Sequence, residues 1–174
     1  MAFKIVDYML DCATRLKSIG HTQYDPRFFR CSSIANLEEL LHTGMAGSPC
    51  VVVTDSPEGR LEDADSDNVQ DRQYYSFAVF AHVDAGDFSK REDAIQLTKA
   101  VAFKILGKMK RDKKGDNSCS FGIFRVGLRN LEIGSVSYTT VGPFGDNFWG
   151  TDVSFTILNK PDLLYNAEDW LPYE

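Results

Sequence analysis

The chain has 174 residues, 43% of them hydrophobic and 25% charged, with a formal net charge of −6. Such values describe one soluble globular domain, large enough to bury a core and without the ~20-residue apolar run of a membrane span. The acidic balance disfavours tight nucleic-acid binding. Asp7 and Asp11 interrupt the apolar N-terminal pattern, which is not that of a secretory signal.

Ile5, Val6, Met9, Leu10, Ala13, Leu16 and Ile19 recur at helical spacing, and Gly20 follows as a stop. This predicts an amphipathic first helix with that stripe buried. "RFFRCSS" (27–33), after Pro26, reads as an extended segment. Asn36, three residues before Glu39, is a capping signal for a short helix closed by Gly44. "PCVVVTD" (49–55) is a β-branched strand, and an acidic stretch over 56–73 reads as a flexible, solvated excursion. In "YYSFAVFAHVDA" (74–85) both alternating faces are apolar, the mark of a central strand covered on two sides.

Ser89 and Glu92 form a capping box that opens the strongest helix of the chain. Its expected buried stripe is Ala94, Leu97, Val101, Ile105 and Met109, flanked by Ala102 and Leu106. Acidic residues open this helix and Lys108, Lys110 and Arg111 close it, in keeping with the helix dipole. Three β-rich stretches follow at 119–128, 131–141 and 148–158, the last two joined by the glycine-rich turn 142–147. A polar and aromatic tail (160–174) ends the chain. The order helix, strand, strand, helix, strand, strand, strand predicts a single α+β domain over 1–174, with two main helices packed on a mostly antiparallel sheet.

Few residues suggest chemistry. Asp63, Asp65, Asp67 and Asp71 match positions one, three, five and nine of a calcium loop. Asn68 replaces the turn glycine, and Tyr74 stands where a bidentate Glu must complete the shell. The flanks are predicted strands rather than helices, so solvated chain is the expectation. Cys12, Cys31, Cys50 and Cys119 are too widely spaced for a C-x-x-C pair and are expected as reduced, mostly buried thiols. No phosphate-binding loop, dinucleotide fingerprint, nucleophile elbow or zinc-ligand spacing occurs. The basic stretch 108–116 reads as a hydrated helix end, His82 as a sheet residue, and Asp84, Asp87 and Glu92 as capping or solvating groups. No catalytic, cofactor-binding or metal-ligating residue is assigned. The exception is "GPFGDNFWG" (142–150): Phe144, Phe148 and Trp149 crowd one turn, and either fold back on the body or await a partner.

In this element order, "SPCVVVTD", "YYSFAVFAHVD" and the ending "VGPFGDNFWGTDVSFTILNKP" resemble the phage tail terminator, or tail-to-head joining, proteins and related tail-completion proteins. The likeness spans roughly residues 1–160; the short helix near 36–43 and the acidic stretch 56–73 depart from it. The resemblance implies a non-enzymatic structural protein of phage or prophage origin, needing no cofactor. Members assemble as rings, typically hexamers, that cap the tail tube and meet the head connector. It would be found in the host cytoplasm during assembly and then in the virion tail. Phe144, Phe148 and Trp149 become candidate interface residues, and an acidic lumen would repel DNA phosphates. Two other classes compete. One is a small enzyme with a site assembled from His82, Asp84 and Cys119; the other is an adaptor or ligand-binding domain of cellular origin, built around a preformed apolar cavity.

Overall fold

The computed structural model describes residues 3–43, 48–56, 58–63, 69–84, 86–114, 127–161 and 163. Their elements are α1 (Ile5–Arg15), β1 (Phe28–Cys31), α2 (Ile34–Thr43), β2 (Cys50–Thr54), β3 (Glu58–Glu62), β4 (Gln70–His82), α3 (Phe88–Lys114), β5 (Leu131–Phe144) and β6 (Phe148–Asn159). The strands form one six-stranded sheet in the order β1-β2-β4-β6-β5, with β3 also paired to β4. Only β1 and β2 are parallel to each other; the remaining pairs are antiparallel. The α+β class read from the sequence is therefore the class observed.

The central strand β4 shows why both of its faces are apolar. Tyr75, Phe77 and Val79 point to one face, where with Val153, Phe155 and Ile157 of β6 they meet α1 and α3 in the main core. Ala78 and Phe80 point to the other face and join Cys50, Val52 and Phe148 beneath Leu37, Leu40 and Leu41 of α2. Since α2 has only 10 residues, it roofs far less of its face than α1 and α3 roof theirs. Among the described residues that asymmetry leaves an open region on the second face.

Both main helices are rotated slightly from the expected stripes. In α1 the buried residues are Ile5, Tyr8, Met9, Cys12 and Ala13, spaced as one helical face requires, while Leu10 is 39% exposed. The helix stops at Arg15, before Gly20, because Leu16 takes an extended conformation. Gly20, at φ 64°, then returns its N–H to the Leu16 carbonyl, which swings Ile19 into the core. In α3 the inward residues are Ala94, Thr98, Val101, Ala102, Ile105, Met109 and Asp112, and Leu97 faces outward at 43% exposure. Thr98 displaces Leu97 from the stripe because its hydroxyl has a partner inside, Thr151 Oγ1 at 3.1 Å. The α3 cap also differs from the expected Ser89 box. Asp87 Oδ1 accepts from the Ser89 hydroxyl and the Lys90 N–H, and these bonds lower its pKa to about 2.

The stretch 56–73 is not simply a flexible excursion. Its β3 arm pairs with the start of β4 from Glu58↔Tyr74 to Glu62↔Gln70, and Arg72 is tied to Glu62 and Glu132. Residues 64–68, with Asp65 and Asp67, lie outside the described residues, as do most of the expected strand 119–128 and most of the tail 160–174. Residues 127–128, at the end of that expected strand, are helical.

A polar cluster joins α1 to α3. Tyr8 Oη donates to Asp112 Oδ2 at 2.8 Å, and Lys108 Nζ reaches the same oxygen at 2.7 Å. Lys108 also lies 3.4 Å from Asp11 and 4.4 Å from the Tyr8 ring centroid. Burial pushes the Tyr8 hydroxyl up, with Cys12 and Asp112 adding to the shift. It also lifts the Cys12 thiol from 9.0 to about 12. For Lys108 burial acts downward, but the hydrogen bond to Asp112 and the neighbouring negative charges raise the net value. Groups raised on folding stabilise fully below their unfolded pKa and lose that contribution as pH rises through the folded value. The Tm should therefore hold steady up to the ordinary thiol value of 9.0 and fall above it. Melts across the alkaline range check this, and Tyr8→Phe should flatten the fall. A Tm unchanged to about pH 11 would contradict the burial of this cluster.

Candidate interaction surface and pocket

The β5–β6 hairpin turns through Gly145–Asn147, and its geometry separates the three aromatics singled out in the sequence. Neighbouring residues of a strand point to opposite faces, so Phe148 and Trp149 part company. Phe148 enters the second-face core, where it is 3% exposed and meets the His82 ring at 5.2 Å. Phe144 lies opposite Phe148 in the ladder and stands edge-on to Phe80, with centroids 5.9 Å apart. Trp149 turns to the first face and packs against Ala81, Val83 and Ala94. The Arg91 guanidinium lies 4.0 Å from its ring centroid, and its Nε1–H donates to Asn147 Oδ1. The expectation of three interface aromatics is thus corrected for Phe148, whose side chain is core. Phe144 and Trp149 are half-buried.

Next along β6, Gly150 permits this packing: a Cβ there would lie 2.5 Å from the Val79 carbonyl and 2.6 Å from the Phe80 ring. The Phe80 ring fills the space that a side chain would have taken. Beside it, in the part of the second face that α2 leaves uncovered, is a pocket of about 340 Å³. Leu37, Val52, Phe80 and Phe144 form apolar walls, while Thr54 and Asp152 supply polar atoms. Asp152 sits mid-sheet, paired in register with Ala78 of β4 and Thr139 of β5. Among the described residues no hydrogen bond or ion pair reaches its carboxylate, and burial pushes its pKa above the usual value. The neighbouring hydroxyls are already engaged: Ser76 Oγ donates to Thr54 Oγ1, and Ser137 bonds Ser154. Burial likewise raises the Cys31 thiol, an inert state for a cysteine. Cys12, Cys31 and Cys50 are buried thiols outside any disulfide, whereas Cys119 lies outside the described residues.

A second surface, not foreseen from the sequence, lies at the outer edge of the sheet. Among the described residues β5 pairs with β6 alone, and most of its 14 residues are exposed or half-exposed. Tyr138 of β5 is 51% exposed and Phe103 of α3 is 44% exposed. Their rings meet edge-on at 5.2 Å, with Lys99 Nζ 5.1 Å from the Tyr138 centroid. Leu97, expected in the core, is exposed on the same helix. The signal was present as Phe103 standing off the helix stripe, but periodicity alone assigns no neighbour to such a residue.

Of the scattered groups considered for catalysis, Cys119 lies outside the described residues and His82 and Asp84 have local partners. His82 is exposed and its backbone N–H bonds Ser48 Oγ. Asp84 pairs with Lys90 at 3.4 Å. Among the described residues no group of three or more His, Cys, Asp or Glu is placed to hold a metal, and no helix is long and apolar enough to cross a membrane. No family model matches the chain, and no curated protein matches it either.

Proposed function

We propose that this chain is a structural subunit of a phage or prophage tail that forms a homo-oligomeric ring, ending the tail tube and joining it to the head. The observation that carries the reading is the edge at β5, 14 residues long and open among the described residues, with the exposed Tyr138–Phe103 pair beside it. Exposed edge strands pair with other chains unless they are covered. The opposite side of the sheet ends in the short strands β1 and β3. Joining the β5 edge of one copy to that side of the next is a head-to-tail contact, which generates a ring when the rotation closes. The net charge of −6 suits a lumen along which DNA slides without sticking. The resemblance described above adds the tail as the setting: host cytoplasm during assembly, then the virion, with tail and head-connector proteins as partners. In this reading the protein is not an enzyme and uses no cofactor.

The test is deletion of the gene from its genome, followed by electron microscopy of the particles produced. Overlong or headless tails, corrected by the wild-type gene, are expected. Tyr138→Asp should melt like wild type, since the residue is half-exposed, and should fail to restore normal tails. Normal headed tails from the deletion strain, or no tails even with the gene present, would overturn the proposal. Scattering from purified protein decides less, because such a subunit can stay monomeric until it meets a tube. A second reading, a ligand-binding α+β domain of cellular origin, draws support from the second-face pocket.

A further inference from the structure

We propose that the second-face pocket binds a small organic cation: a compact hydrocarbon or aryl body ending in one ammonium group. The inference is independent of the tail reading, since it rests on a different face of the sheet. Three observations point to it. The cavity, about 340 Å³, falls at the lower end of the ~300–1,000 Å³ that small-molecule pockets span. Its walls are mainly apolar, from Leu37, Val52, Phe80 and Phe144, so the occupant must offer hydrocarbon surface. Its one ionisable acid, Asp152, is set mid-strand with no cation or donor satisfying it among the described residues.

A half-buried carboxylate facing apolar walls without a partner costs stability in the unliganded protein. It is placed where an ammonium would supply the missing charge-assisted hydrogen bond. The Thr54 hydroxyl is already engaged on both sides, accepting from Ser76 and hydrogen-bonded to the Cys31 thiol, so it does not serve Asp152. Arg30 does not compensate Asp152: it pairs with Asp55 at 3.0 Å, and its register opposite Val53 sets it on the other face of the sheet. The pocket is thus chemically half-built, with the apolar part and the anion in place and the cation left to the ligand. An anionic ligand would be repelled, and a neutral one would at best donate an ordinary hydrogen bond and leave the charge of Asp152 uncompensated.

The test uses 2-phenylethylammonium as probe and 2-phenylethanol as its neutral counterpart, titrated into the full chain by NMR. The ammonium probe should bind about ten- to a hundredfold more tightly than the alcohol, the range expected for a hydrogen bond to a charged group. Amide shifts should centre on Val52, Phe80 and Phe144. Asp152→Asn should abolish the preference while leaving the fold intact, because it removes a desolvated charge. Asp152→Ser provides the same readout if the Asn variant misbehaves. Equal binding of the two probes, shifts located elsewhere, or no binding at about 10 mM would each overturn the proposal. So would a lysine-bearing peptide that binds where the free amine does not, which would make the site a protein-docking surface.

Discussion

Phe148→Ser should destabilise the fold by about 3–5 kcal/mol, the usual cost of truncating a buried aromatic. Phe148 is 3% exposed and joins Val52, Phe80 and the α2 leucines in the second core cluster, so removing the ring leaves a cavity and a hydroxyl inside it. Phe144, its partner across the hairpin, is half-buried at the pocket rim, and Phe144→Ser should cost roughly 1–2 kcal/mol. Urea denaturation of both variants checks the pair. Equal, small losses would return Phe148 to the surface and restore it as an interface residue. The distinction governs how assembly is probed. Replacing Phe148 and Trp149 together would confound loss of fold with loss of contact, whereas Tyr138 reports on the sheet edge alone.

Lys108→Met should cost about 2–3 kcal/mol. Its ammonium lies 2.7 Å from Asp112 Oδ2, and the Asp112 side chain is only 4% exposed, so the lysine offsets a charge held almost wholly inside the protein. The value is placed at the low end because Lys108 keeps 28% of its own exposure, and water screens part of the attraction. The double variant Lys108→Met, Asp112→Leu should recover most of the loss, since replacing a buried ion pair by apolar groups of similar size is often neutral or better. A double-mutant cycle by thermal and chemical denaturation measures the coupling directly. A single variant as stable as wild type, with no coupling, would show that the carboxylate does not depend on this lysine. The cluster ties α1 to α3 across 104 residues of sequence through the Tyr8–Asp112 bond, so its loss should also loosen the N-terminal helix.

Much of the architecture was legible from local pattern. Helical spacing located α1 and α3, alternation located β2, β4 and the β5–β6 hairpin, and together they specify the α+β class. These features are encoded over a few residues, within reach of periodicity and capping rules. Orientation was decided elsewhere. Whether Leu97 or Thr98 faces the core depends on Thr151, 53 residues away, and whether Tyr8 is buried depends on Asp112. A polar side chain is admitted to the interior only where a distant partner satisfies it, and no local pattern names that partner. The same holds for β3, an acidic segment that reads as loop until β4 supplies a ladder for it. It holds for Phe148 and Trp149, whose opposite faces follow from strand alternation but whose inward and outward sides follow from which helix covers each face. The pocket with Asp152 was wholly a tertiary decision. It exists because a 10-residue helix roofs only part of one sheet face, a matter of how much surface packed elements cover rather than of any residue spacing.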